Sequence, residues 1–221
     1  MANVAQFFQV IQARDTAAVK RMLGAELQLA SAKNEKGQSA LLLAVYSGNK
    51  ELCDVLLAQG VPLELHEAAA LGQLERVKHF VDQEPGLAKS YSPDGFPVIA
   101  LAAAFGHLEV AEYLFAKGAD VNAAASNGTG YNALTGGVAS GHPAIVAWLL
   151  ANGADPNYRY GAGYSPLLTA AANGYLGIVN MLLNDGADLH AKTNDGKTAM
   201  SFAKERGHTA VAESLRERGA V

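Results

Sequence analysis

The chain has one cysteine, Cys53, in 221 residues, so no disulfide can close within it and no thiolate cluster can form. That usage points to a reducing compartment, and the cytoplasm is the expected location. No apolar run approaches the ~18–20 residues a membrane span requires. The opening stretch MANVAQFFQVIQARD lacks a basic flank, and Gln6, Gln9 and Gln12 interrupt its apolar character, so it is not expected to act as a secretory leader. Charge is scarce at 17% and close to balanced, with a net value of −4, which leaves no electrostatic footprint for nucleic acid or an anionic membrane. Half of the residues are hydrophobic, enough for a continuous core and against global disorder.

Catalytic constellations are also missing. No Ser/His/Asp order, paired carboxylates or phosphate loop emerges, and no enzymatic activity is expected. Gly128-Thr129-Gly130-Tyr131-Asn132-Ala133 fits a dinucleotide fingerprint only in letters. The preceding Ala123–Asn127 is no buried strand, and residues 121–154 hold no acid to take a ribose. Asn127-Gly128-Thr129 fits a glycosylation sequon but reads as a turn. No cofactor and no metal are expected.

What the chain does have is a repeat. Gly106-His107, followed by Gly118-Ala119-Asp120-Val121-Asn122, returns at Gly141-His142 with Gly153-Ala154-Asp155-Pro156-Asn157. It returns again at Gly174 with Gly186-Ala187-Asp188, and at Gly207-His208 with Gly219-Ala220. Gly48 and Gly72 carry weaker versions. The steps between anchor glycines are 24 (48 to 72), 34 (72 to 106), 35 (106 to 141), 33 (141 to 174) and 33 (174 to 207). A period near 33 residues matches a turn followed by two helices.

Each part of that unit has a physical reason. A leading glycine (Gly37, Gly95, Gly130, Gly163, Gly196) supplies the positive φ of a tight turn. Ser, Thr or Asn two residues later caps the first helix. The anchor glycine ends that helix, and a stripe such as Ile145, Val146, Leu149 and Leu150 forms the buried face of the second. The slot opening the first helix reads Ser39-Ala40-Leu41-Leu42, Pro97-Val98-Ile99-Ala100, Asn132-Ala133-Leu134-Thr135, Ser165-Pro166-Leu167-Leu168 and Thr198-Ala199-Met200-Ser201.

With these slots and this period, the chain resembles the ankyrin-repeat family over essentially its full length. The resemblance implies an all-α solenoid with short β-turn fingers that binds another protein on its concave face. Seven units are expected in a single domain, at about 1–33, 34–63, 64–91, 92–126, 127–159, 160–192 and 193–221. The first has Arg14 in the anchor position. The third is about nine residues short, because Pro62-Leu63-Glu64-Leu65-His66 leads straight into a helix. Contacts between the fingers of units two and four are therefore expected to be interrupted, making unit three a weak joint.

His107, His142 and His208 share one repeat position. Stacked helices lie ~8–10 Å apart, too far for ~2 Å bonds to a common metal, so these residues are read as loop hydrogen-bonders. Cys53 stands where other units place Val146, Val179 or Ala111 and reads as core.

The binding face is expected where charge is missing and tyrosine gathers. Residues 91–190 hold nine charged side chains, against 29 in the remaining 121, and five of the eight tyrosines lie on fingers. Interface centres are depleted in charge and enriched in Tyr, Phe and Arg. The candidate partner-binding residues are Tyr46, Tyr91, Phe96, Phe105, Tyr131, Arg159, Tyr160, Tyr164 and Asn173. Packing between fingers is the competing reading of those rings. A monomer is expected. A self-associating module and an engineered binding scaffold are the alternatives, although the variable residues Leu42, His66, Ala100, Thr135, Leu168 and Ser201 in one slot argue against a consensus array.

Overall fold

The computed structural model describes residues 2–220. Among the described residues fourteen α-helices run in antiparallel pairs: α1 (Ala2–Gln12) with α2 (Thr16–Ala25), α3 (Ala40–Tyr46) with α4 (Lys50–Leu57), α5 (Leu65–Ala70) with α6 (Leu74–Gln83) and α7 (Val98–Ala104) with α8 (Leu108–Ala116). The remaining pairs are α9 (Ala133–Ser140) with α10 (Pro143–Ala151), α11 (Pro166–Asn173) with α12 (Leu176–Asn184) and α13 (Ala199–Glu205) with α14 (Thr209–Glu217). Short 3₁₀ turns, Leu27–Ser31 and Pro85–Lys89, follow α2 and α6. Among the described residues no helix is long and apolar enough to cross a membrane.

Local chemistry sets the helix starts. Ser39 accepts from the Leu42 N–H at 3.0 Å, Asn132 from Thr135 at 2.9 Å and Thr198 from Ser201 at 3.1 Å, each satisfying an orphan donor of the first turn. At the helix ends the anchor residue turns left-handed. Gly106 has φ 80°, and a β-carbon there would lie 2.8 Å from the His142 ring. Arg14, in the same slot of the first pair, takes φ 58° and is the one non-glycine with positive φ among the described residues.

The first helices α1, α3, α5, α7, α9, α11 and α13 stack in one row, each touching the next, while the second helices form an outer row. Alanines such as Ala102, Ala103, Ala170 and Ala171 are wholly buried and let the inner row close up. Fingers close by isolated bridges at Lys33–Ser39, Tyr91–Pro97, Tyr160–Tyr164 and Lys192–Thr198. The finger before α9 is a wider loop, closed by Ala125 N–H donating to Tyr131 O at 2.7 Å.

Unit three has no finger, since α5 begins directly after the turn that ends α4. In its place Glu67 accepts from the Ser39 hydroxyl and from the Glu64 N–H (2.7 Å), tying the cap of α3 to the start of α5. Burial pushes the Glu67 carboxyl above its ordinary range.

The expected interruption between fingers two and four is corrected by the structure. Deleting the intervening finger brings its neighbours into direct contact. Gln38 Nε2 donates to Asp94 Oδ2 at 3.1 Å, and the Tyr46 hydroxyl donates to Asp94 Oδ1 at 3.1 Å. The buried core nonetheless divides nearby. One cluster runs from Phe7 to Leu56 and adds Ala70 and Leu101, while the other runs from Leu65 to Ala220.

Candidate functional site

Four of the nine candidate side chains converge. Tyr46 at the end of α3, Phe96 on the finger before α7, Phe105 after α7 and Tyr131 on the finger before α9 line one open, almost wholly apolar groove of about 260 Å³. Tyr46 stacks parallel to Phe105 (centroids 6.2 Å, planes 2° apart) and meets Phe96 edge-on at 6.3 Å. These offset and T-shaped contacts suit the ring quadrupoles. Burial, with the Asp94 carboxylate next, raises the Tyr46 phenol well above its ordinary value, so it stays a hydrogen-bond donor.

The groove floor is made of small residues. Gly136 on α9 faces α7 so closely that a β-carbon there would lie 3.1 Å from Ala104 Cβ. Ala104, the exposed Ala139 and Ser140, and the buried Asn132 and Thr135 line the groove as well. The capping box fixes Asn132: its Oδ1 accepts from the Thr135 N–H, while its own N–H donates to the Thr135 hydroxyl at 2.8 Å. The Nδ2 of this 1% exposed side chain has no partner. The sequence signal for it was slight: an amide at a slot where Ser39, Ser165 and Thr198 carry hydroxyls.

Tyr131, 40% exposed, also begins a second run of rings. It lies 5.3 Å from Tyr160, Tyr160 lies 6.3 Å from Tyr164, and Tyr164 lies 5.7 Å from Phe202 on α13. Here the competing reading of finger packing holds for one member. Tyr160 is only 9% exposed and hydrogen-bonds the Thr169 hydroxyl, and burial pushes its phenol up to about 12. Its ring therefore sits inside the stack of fingers, and Tyr164 is half-buried beside it.

The other three candidates lie apart from the groove. Tyr91 pairs with Pro97 across its finger, and alternation along a strand sends it to the face opposite Phe96. It borders a separate depression with Gly118 and Asp120. The Arg159 guanidinium donates to Lys192 O, and Asn173 Nδ2 to Ala139 O at 3.4 Å, so both stitch adjacent units.

The repeated polar residues do the same. His107 Nε2 lies 3.0 Å from Ala70 O and His208 Nε2 3.1 Å from Ala172 O. Asn122 and Asn157 each bridge to the next loop, donating to Gly153 O and Gly186 O at 2.9 Å. Cys53 is a buried free thiol that desolvation holds above its ordinary range. Among the described residues no group of three or more His, Cys, Asp or Glu is placed to hold a metal ion.

The comparison with curated proteins finds no match. The family model for ankyrin repeats (three copies) matches residues 65–160 and again 138–221, well over half of the chain. Stacked helix pairs continue outside that span back to α1, with a bridged finger at Lys33–Ser39 and left-handed anchors at Gly48 and Arg14. The chain belongs to the ankyrin-repeat family.

Proposed function

We propose that this protein is a cytoplasmic scaffold or adaptor of seven ankyrin repeats, divided at the boundaries given above, that binds another protein on its concave face and catalyses no reaction. Ankyrin repeats are in general protein-interaction modules. The observation that carries the reading is the groove of Tyr46, Phe96, Phe105 and Tyr131, which no charged residue lines. Aromatic residues at a desolvated interface centre typically account for ~2 kcal/mol or more of binding each. Tyr164 extends the face towards units six and seven with Tyr160 packed beneath it, while Arg159 and Asn173 hold the neighbouring units together under that face and Tyr91 stands on the other side of its finger.

The test is affinity capture with the purified chain, identification by mass spectrometry, and titration of the recovered partner by calorimetry. Tyr131→Ala is expected to weaken binding by about tenfold or more, the equivalent of ~1.4 kcal/mol, with little change in melting temperature. Partner binding that survives Tyr131→Ala and Phe105→Ala together overturns the reading.

One observation favours self-association as a second reading. Helix α10 carries no polar side chain; Ala144, Ala147 and Ala151 are exposed, and Trp148 meets the 36% exposed Phe115 edge-on at 5.6 Å. Light scattering of wild type and Trp148→Glu decides it: a dimer that the substitution dissolves supports this reading, and a monomer in both removes it.

A further inference from the structure

Asparagine or aspartate followed by glycine is a chemically labile pair. The glycine has no side chain to keep its amide nitrogen from closing a five-membered ring on the neighbouring side-chain carbonyl. The chain has three pairs of each kind: Asn127-Gly128, Asn152-Gly153 and Asn173-Gly174, with Asp94-Gly95, Asp185-Gly186 and Asp195-Gly196. In five of the six the glycine N–H is committed to the carbonyl three residues back. Gly95 donates to Ser92 O at 2.8 Å, Gly153 to Leu150 O at 3.1 Å, Gly174 to Ala171 O at 3.3 Å, Gly186 to Leu183 O at 3.2 Å and Gly196 to Thr193 O at 2.9 Å. Among the described residues the Gly128 N–H alone of the six donates to no protein atom.

The surroundings of Asn127 favour reaction further. Its Oδ1 accepts from the Thr129 N–H at 3.1 Å and from the Thr129 hydroxyl at 2.6 Å. Two donors therefore stand where negative charge develops when a nucleophile adds to Cγ. Asn127 and Gly128 are exposed, and nothing lies within 4 Å of the point where a Gly128 β-carbon would be, so the loop has room to close the ring. This is also the finger without a bridge, closed by the single bond from Ala125 N–H to Tyr131 O.

We propose that Asn127 is a site of spontaneous deamidation, in which the two Thr129 donors polarise the amide and water is the co-reactant. The Gly128 nitrogen loses its proton and bonds to Asn127 Cγ. The Cγ–Nδ2 bond breaks, and Nδ2 takes up a proton and leaves as ammonia. Water then opens the resulting succinimide by breaking one of its two C–N bonds. Opening at Cγ gives aspartate, and opening at the main-chain carbonyl gives isoaspartate. Either product loses the bond from Asn127 Nδ2 to Asp94 O, 2.8 Å in the intact chain, and sets a carboxylate beside that carbonyl oxygen. The reaction thus unlinks the fingers of units four and five, on the loop that carries Tyr131.

The test is storage of the native full chain in mildly alkaline buffer, followed by peptide mapping by mass spectrometry and enzymatic methylation of isoaspartate. Asn127 is expected to convert about tenfold or more faster than Asn152 and Asn173. In urea, where the fold no longer distinguishes the three pairs, their rates are expected to converge. Thr129→Val removes one of the two donors and is expected to slow conversion about tenfold, and Thr129→Ser to restore it. Should Thr129→Val fail to fold, the ratio of native to urea rates still decides. Asn127→Asp carries the simpler product and is expected to lower the urea midpoint. An intact Asn127, equal native rates at the three pairs, or wild-type conversion in Thr129→Val would each overturn the proposal. An unchanged midpoint in Asn127→Asp would overturn the unlinking of the fingers.

Discussion

Two tyrosines on neighbouring fingers show how one residue type carries different roles at the residue scale. Tyr131 is 40% exposed and Tyr160 only 9%, although both occupy fingers and lie 5.3 Å apart. Truncating a near-buried aromatic typically costs ~3–5 kcal/mol, and the lost hydroxyl contact with Thr169 adds to that. Tyr160→Ala is therefore expected to destabilise by ~3 kcal/mol in urea unfolding, and Tyr131→Ala by no more than ~1 kcal/mol. His107 allows a second test at this scale. Burial lowers its pKa below 6.5, opposed by its contact with Ala70 O. A depressed folded-state value means that the neutral form stabilises: the contribution is complete above pH 6.5 and is lost as the pH falls from there through the folded pKa. The stability advantage of wild type over His107→Gln is expected to shrink between pH 7 and pH 5. An advantage that is constant or grows would show that the neutral ring is not the stabilising form.

At the scale of the element, the left-handed end of each first helix couples one unit to the next. Gly106 combines φ 80° with the His142 ring where its β-carbon would be, so Gly106→Ala meets backbone strain and a clash together. A loss of ~2 kcal/mol or more is expected, read as a lowered urea midpoint with an unchanged slope. Gly207 has the same φ within 7° (73°) but nothing within 4 Å of its β-carbon, so Gly207→Ala is expected to cost only the strain, ~1 kcal/mol. Equal costs at the two sites would remove the histidine contact from the account. The missing finger of unit three is a lesson of the same kind. Its absence could be read from the 24-residue step, but its consequence could not, because the sequence does not show that Asp94 then reaches Gln38 and Tyr46.

Across the whole molecule, stability of a solenoid is roughly a sum of unit and neighbour terms, so it yields where neighbours share least. The core divides between the second and third helix pairs, and α4 barely meets α6 in the outer row. Asp94, Tyr46, Phe96 and Phe105 hold the inner row together across that line. Residues 2–57 are expected to open as one block, with amide exchange faster than over residues 98–183, and Tyr46→Ala should widen the difference. Unit three, whose Leu65, Val77 and Val81 belong to the larger cluster, is expected to protect with the C-terminal block. Fast exchange confined to residues 60–93 would instead restore it as the weak joint.

The sequence by itself determined the period, the helix pairs, the caps, the turns and the shortened third unit, because each of these depends on residues within about 35 positions of one another. It also placed Tyr46, Phe96, Phe105 and Tyr131 on the same side of the solenoid. Only the tertiary structure decided that these four share a groove, that Tyr160 lies beneath the surface, that Tyr91 faces away and that Asn132 keeps an unused donor. Those outcomes depend on the spacing and tilt between stacked units, which Gly136 and the inner alanines set by how closely they let the helices approach. Repeat register assigns a residue to a face, and the packing distance between neighbouring repeats decides whether that residue meets solvent, a partner or the next finger.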